Sequence, residues 1–254
     1  MALRGSADVA SLLVDGYNIL GTVTQLTDKQ MALTEETHAL GDAYVENSYV
    51  GVRRAELTQE GFYDDAAASV NAALSTGPGN SSRVLTYQDC GTATGAPFKG
   101  LTAVQVDWEV QAARAALTKA KASYLSNGRW DNGQVLYTHK ASAGTSAETG
   151  GGVQRRDSAG ALSTVSSTGG GAGYLQVTAF TSGAGATGAL VRIQDSSDNI
   201  TFADLIAFTI ATAAPFAQRI ETLATGVEAY VRANTSFQGG ASASLTAFVG
   251  FARY

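Results

Sequence analysis

The sequence is poor in the residues that carry chemistry. It holds a single cysteine, Cys90, and two histidines, His38 and His139, among 254 residues. One cysteine excludes an internal disulfide, and this complement falls short of a His/Cys zinc set. Charged residues are 15% of the chain, below the usual quarter or so. No apolar run approaches the ~20 residues of a helical membrane span, and Leu205–Ala217 is broken by Thr209, Thr212 and Pro215. Seventeen Lys+Arg against 22 Asp+Glu leave a net charge of -5, the wrong sign for a protein that grips phosphate by counterion release. The segment Met1–Gly5 lacks the apolar core of a secretory signal, so folding in the cytoplasm is expected. The sequons at Asn80, Asn199 and Asn234 are then not expected to meet a glycosylation enzyme.

What the chain has in quantity is glycine, 29 residues. That is about 11% against a usual ~7%, which few helices survive, so the expected fold class is all-β with one external helix. Asp15-Gly16 between Leu12–Val14 and Tyr17–Leu20 supplies the positive φ angles of a tight hairpin. Met31–Thr37 and Val52–Phe62 read as strands joined by Ala39–Gly51, a connection that carries Tyr44, Val45, Tyr49 and Val50 and so looks built to touch something. Asp64-Asp65 opens the helix, with Val70 and Leu74 as its apolar stripe and Gly77-Pro78-Gly79 as its end. Alternation over 104–112 sets Val104, Val106, Trp108 and Val110 on a core face, and Gln105, Asp107, Glu109 and Gln111 on a polar, acidic one. Ser126-Asn127-Gly128 marks a turn between strands 117–125 and 134–140.

From Ala141 to Gly173 the composition turns to Gly, Ser, Ala and Thr, which places a domain boundary near residue 145. Beyond it, 174–181, 189–194, 201–209, 218–223, 228–234 and 245–253 are short, evenly spaced strands of a small β-sandwich.

Candidate active sites dissolve on inspection. Gly183–Gly188 matches G-x-G-x-x-G but runs into strand rather than helix, so it reads as a hairpin loop. His38 lies beside Glu35 and Glu36, yet no serine or cysteine nucleophile accompanies it. Cys90 lacks a neighbouring cation to activate it. Asp195, Asp198 and Asp204 do not follow a calcium-loop spacing and read as a turn at 196–199 with solvated neighbours. Trp108 and Trp130 could form a sugar platform, but Trp108 falls on the core face. The expectation is a non-enzymatic protein without cofactor or metal.

The arrangement resembles the tail tube protein of long-tailed bacteriophages. LVDGYNILGTVTQLT (13–27) looks like the opening of such proteins, and GAGYLQVTAF (171–180), VRIQDSSDNITFADLIAFT (191–209) and VEAYVRANTSF (227–237) look like the sandwich appended to phage tail proteins. The resemblance implies a tail-tube β-sandwich or barrel domain over 1–144 and an Ig-like or jelly-roll sandwich over 145–254. It also implies rings, usually of six copies, stacked into a tube in the virion and assembled in the host cytoplasm. The partners would be the tape-measure protein, the tail terminator and baseplate, with DNA only in transit and no membrane insertion. On this reading Tyr44, Val45, Tyr49 and Val50 contact the adjacent ring. Arg54, Glu56, Thr58 and Glu60, with Gln105, Asp107 and Glu109, line the lumen, away from Leu57, Val106 and Trp108. A capsid or tail decoration protein and a carbohydrate-binding adhesin are the alternatives.

Overall fold

The computed structural model describes residues 9–37, 47–66, 69–75, 77–80, 82–142, 148–149, 153–154, 169–183, 187–223, 226–239 and 243–254. Its fold is all-β with antiparallel pairing throughout and one short α-helix among the described residues. The strands are β1 (Ser11–Val14), β2 (Tyr17–Asn18), β3 (Val23–Thr37), β4 (Asn47–Phe62), β5 (Arg83–Gln88), β6 (Pro97–Gln111) and β7 (Lys119–Ser142). They continue as β8 (Glu148–Thr149), β9 (Val153–Gln154), β10 (Gly171–Thr181), β11 (Gly188–Ser196), β12 (Ala203–Ala207), β13 (Phe216–Thr222), β14 (Tyr230–Gln238) and β15 (Ser244–Arg253).

The Asp15-Gly16 turn forms as its sequence dictates, with φ of 50° and 87° and Val14 paired to Tyr17. Gly16 is also a point of close approach: a Cβ there would lie 2.6 Å from the backbone nitrogen of Phe216. The helix α1 (Val70–Leu74) starts later than expected. Asp64 instead holds the preceding turn, its carboxylate accepting from the Ala66 amide at 2.9 Å and its carbonyl from the Ser69 hydroxyl at 2.6 Å. Val70 and Leu74 are buried, as the apolar stripe requires. Two sheet side chains satisfy carbonyls at the helix end, Gln105 donating to Leu74 and Arg83 to Ala73.

β7 organises the molecule. Ser126-Asn127-Gly128 is not a turn between two strands but an irregularity inside one, where the register with β6 jumps from Ala103↔Ser126 to Leu101↔Trp130 and Gly128 adopts φ 118°. Before it, β7 lies between β6 and β4; after it, β7 lies between β6 and β15. A ten-stranded sheet results, in the order β13-β10-β15-β7-β6-β5-β1-β2, with β4 on β7 and β3 on β4. The second sheet, β12-β11-β14 with β8 and β9, covers the β10 and β15 side. Val191, Ile193, Ile206, Phe208 and Val231 of that sheet pack on Leu136, Leu175, Val177 and Val249. Gly173 brings the layers together, since a Cβ there would stand 2.7 Å from Cδ1 of Ile193.

The expected boundary between 144 and 145 itself lies outside the described residues. The strands on its two sides share the large sheet: β15 pairs with β7 from Gly133 to Ser142. One buried cluster joins Leu13, Val84, Phe98 and Val135 to Ala172, Tyr174, Phe248 and Ala252. Neither the sheet nor this cluster divides at the boundary. The Gly183–Gly188 connection is likewise not a hairpin loop, because β10 and β11 belong to different sheets.

Candidate functional site

Four strands, β3, β4, β6 and the first part of β7, form a sheet whose one face packs on the core while the other is polar. Core-side rows run Leu57–Tyr124–Gln105 and Gln59–Ala122–Trp108. The opposite face carries Lys29–Glu56–Leu125–Val104, then Thr27–Thr58–Ser123–Asp107, then Gln25–Glu60–Lys121–Glu109, and last Phe62–Lys119–Gln111. Partners across an antiparallel pair share a face, so these rows follow from the register alone.

The rows bring Glu56, Thr58, Glu60, Asp107 and Glu109 onto one face, with Arg54 on the same side by alternation along β4. They correct Gln105, which is fully buried with Tyr124 instead of joining Asp107. A register shift between Gln105 and Asp107 leaves Val106 outside the ladder and 46% exposed. Strict alternation is therefore re-phased: Gln105 and Trp108 share the core side, while Val104 moves to the polar face. Nor is that face simply acidic. Lys121 stands between Glu60 and Glu109, and Lys119 forms a 3.1 Å ion pair with Glu60. Lys29 and Arg54 complete four cations against the four carboxylates Glu56, Glu60, Asp107 and Glu109. The threonine and serine of the middle row are linked, Thr58 donating to Ser123 at 3.4 Å.

Both flanks of this sheet lack a ladder partner among the described residues. β3 pairs with β4 alone. β6 pairs with β5 only through Lys99–Ala103, so its Val106–Gln111 segment has β7 on one side and no strand on the other. Such edges present unpaired N–H and C=O groups to any neighbouring strand.

Of the residues expected to contact an adjacent ring, Tyr49 and Val50 lie within β4, opposite Glu35 and Thr34, and not in a loop. Tyr44 and Val45 lie outside the described residues, as does His38.

Two polar clusters escaped the sequence reading. In the first, Asp28 of β3 accepts from Lys99 of β6 at 2.6 Å and from the Tyr87 hydroxyl of β5. Burial opposes ionisation of Asp28, but those donors prevail and hold its carboxyl below the usual range. Burial and Asp28 together push the Tyr87 hydroxyl up. The second cluster joins Asp131, Tyr174, Arg219, Glu221 and Tyr254. Arg219 donates to Asp131 at 2.7 Å and to the Tyr254 hydroxyl at 2.7 Å, and pairs with Glu221 at 2.5 Å. The Arg129 guanidinium lies 3.7 Å from the centre of the Tyr254 ring. Apart from Arg219 and Glu221, two positions apart on β13, the partners come from distant parts of the chain, so no local pattern signals either cluster.

Asp195, Asp198 and Asp204 are engaged by the protein. Asp198 accepts from the amides of Ile200 and Thr201, Asp195 from the amide of Glu228, and Asp204 from Gln194. Among the described residues no group of three or more His, Cys, Asp or Glu could hold a metal ion, and no helix is long and apolar enough to cross a membrane. Cys90 donates to Asp89 at 3.0 Å.

No family model and no curated protein matches the chain. Solved structures with similarity to it include the virion of a native gene transfer agent particle, 12% identical over 51% of this chain and 98% of that one, with a TM-score of 0.41. The tail of an empty gene transfer agent particle, refined with C6 symmetry, is 11% identical over 50% of this chain and 97% of that one, TM-score 0.38. The SPP1 Dit (gp 19.1) protein, described as a hub adsorption apparatus of phages infecting Gram-positive bacteria, is 8% identical over 96% of this chain and 98% of that one, TM-score 0.34.

Proposed function

We propose that this chain is a structural subunit of a bacteriophage tail, polymerising as rings of six copies that stack into the tail tube, the conduit for genome delivery. The observation that carries the reading is the four-stranded sheet with an unpaired edge on each flank, β3 and the Val106–Gln111 part of β6, around one polar face. β3 and β6 run antiparallel to one another in the sheet, so the β3 edge of one copy meets the β6 edge of the next as an antiparallel pair. Repetition closes a barrel and removes both edges. The core packs on the other face, which turns Arg54, Glu56, Glu60, Asp107 and Glu109 toward the bore.

Such a lining suits passage better than capture. Balanced, hydrated charge offers no net attraction for phosphate, so DNA in transit is not held. The C-terminal sandwich lies outside the wall, because a bore must stay open. The protein works by assembly and not as an enzyme, in the virion, with the tape-measure protein inside the tube and terminator and baseplate proteins at its ends. Tyr44, Val45, Tyr49 and Val50 contribute to contact between rings.

Negative-stain electron microscopy of the purified protein tests the reading, and hollow tubes or stacked rings are expected. Monomers or trimers would favour a decoration protein, and a glycan-array signal an adhesin. A density map with Glu56, Asp107 and Glu109 on the outer wall would overturn the lumen assignment.

A further inference from the structure

The two unpaired edges of the four-stranded sheet carry opposite charge on its polar face. Between Gln25 and Met31, β3 presents Gln25, Thr27, Lys29 and Met31 to that face, so its charge there is the one cation Lys29. The free part of β6 presents Asp107, Glu109 and Gln111. Lys29, Asp107 and Glu109 are all exposed. Each edge charge already has an opposite neighbour within its own copy: Lys29 stands beside Glu56 of β4, and Glu109 beside Lys121 of β7. Glu109 also accepts from Nε2 of Gln111 at 2.8 Å.

Closing this sheet into a barrel fixes how far the two edges slide past one another. Four strands about 4.8 Å apart take up ~19 Å of circumference, and a tilt of roughly 35–45° displaces the next copy along the strands by about 13–19 Å, or about four to six residues. One face repeats every second residue, so the slide is two or three rows. Without it Glu109 would face Gln25, the far member of its own row. A slide in one sense carries Glu109 and Gln111 past Val23, where β3 begins, and leaves them no strand to pair with. The slide therefore runs the other way, toward Lys29 and Met31. Two rows set Glu109 opposite Lys29, and three set Gln111 opposite Lys29 and Glu109 opposite Met31.

We infer that Lys29 of one copy forms an ion pair with Glu109 of the next, and that this pair sets the register in which the β3 and β6 edges join. The two-row slide continues the series Glu60, Lys121, Glu109 of one copy with Lys29 and Glu56 of the next, so the sign of charge alternates at every step across the seam. Opposite charges on facing cross-strand positions stabilise a pair of strands, and complementary charge across an interface fixes its register. The three-row slide breaks the alternation, because Gln111 and Met31 then stand opposite the two charges. The inference rests on the ring reading and adds to it the register of the seam and the residues that select it.

Cysteine crosslinking of the full-length chain, in a Cys90→Ser background, tests the register. Facing cross-strand positions come within about 4.5–5.5 Å, close enough for a disulfide. Within one copy, positions 29 and 109 lie on the two edge strands, three strand spacings or at least ~14 Å apart, so any crosslink joins two copies. Lys29→Cys with Glu109→Cys is expected to give a ladder of disulfide-linked oligomers on mild oxidation, ending at the closed ring. Lys29→Cys with Asp107→Cys, or with Gln111→Cys, is expected to crosslink about tenfold more slowly or not at all. Lys29→Glu sets two carboxylates face to face and is expected to raise the concentration needed for assembly by about tenfold, read by sedimentation velocity. Rings seen by electron microscopy in which a different pair crosslinks, or none does, overturn the register and leave the ring reading standing. Crosslinking of positions 29 and 109 into open chains, with no ring in any sample, supports the pair and overturns the ring. A wild-type chain that stays monomeric at all concentrations overturns both. Circular dichroism establishes that each variant folds; should the double-cysteine chain not fold, Lys29→Glu decides, and unchanged assembly overturns the pair.

Discussion

Tyr174 of β10 donates its hydroxyl hydrogen to Oδ2 of Asp131 of β7 at 2.5 Å. The same carboxylate oxygen accepts two hydrogen bonds from Arg219, at 3.1 and 2.7 Å. Three strands are thereby tied at one buried atom, and burial with the Asp131 charge pushes the Tyr174 hydroxyl well above its usual range. Removing the acid leaves Arg219 short of a partner in a site where its side chain is 12% exposed. Asp131→Ala is expected to destabilise by about 3 kcal/mol, and Tyr174→Phe, which removes the bond to Asp131 and the one its oxygen accepts from Arg219 Nε at 2.7 Å, by about 2 kcal/mol. Urea denaturation of the two single variants and the double variant measures both; the double variant should fall short of the sum, because the groups share one network.

Gly16 supplies a second test of how the strands are held. Alanine there meets both a φ of 87° and the Phe216 backbone 2.6 Å away. Strain alone costs about 1–3 kcal/mol, and backbone cannot yield as a flexible side chain does. Gly16→Ala is expected to lower the melting temperature clearly, read by calorimetry, with a smaller loss for Gly79→Ala, whose Cβ would meet nothing within 4 Å at a similar φ of 88°.

A chain ending at Ser142 is expected to be insoluble. Loss of β15 strips the partner from β7 between Gly133 and Ser142. Loss of the second sheet uncovers Leu136, which is fully buried in the intact protein. Exposed strand edges with apolar neighbours aggregate. Soluble expression of this fragment, with a cooperative melt, would show that the first 142 residues close a fold of their own.

Asp198 sets a pH dependence. Hydrogen bonds from the Thr201 and Ile200 amides and the Ser196 hydroxyl hold its carboxyl down at about 2. A carboxyl whose folded pKa lies below its unfolded value of ~3.9 contributes stability above that value, and the contribution is lost as pH falls toward the folded one. The β11–β12 turn is therefore expected to loosen between about pH 4 and pH 2. The protection of the Ile200 and Thr201 amides, measured as exchange relative to the unfolded-chain rate at each pH, should fall over that window in the wild type and be low already at about pH 5 in Asp198→Ala.

Local chemistry was legible in the sequence and long-range register was not. The Asp15-Gly16 turn, the 196–199 turn and the apolar pair Val70 and Leu74 each depend on residues within a few positions of one another. The strands after residue 170 lie within a few residues of the limits their sequence predicts, because Gly, Ser and Asp punctuate them. The polar face of β4 survived because no bulge interrupts Arg54 to Glu60. Along β6, one extra residue at Val106 reversed the assignment of Gln105 and Val104, and a pattern of period two carries no signal for such an insertion. Ser126-Asn127-Gly128 has the composition of a turn, and only the pairing of its two flanks to β6 keeps the strand continuous. The charge of the candidate face is hidden from the sequence for the same reason: Lys119 and Lys121 reach it from another strand.

β7 also fixes an order of events. β15 leaves the ribosome after every other described strand, yet it completes the pairing of a strand synthesised about a hundred residues earlier. Strand pairs so distant in sequence form late, because loop closure has to precede the contacts that reward it. A nascent or prematurely terminated chain thus lacks the partner of the Gly133–Ser142 part of β7, while the Lys119–Leu125 part already has β4 and β6 on its two sides. A chain cut short before β15 splits the large sheet in two, with β10 and β13 severed from β7.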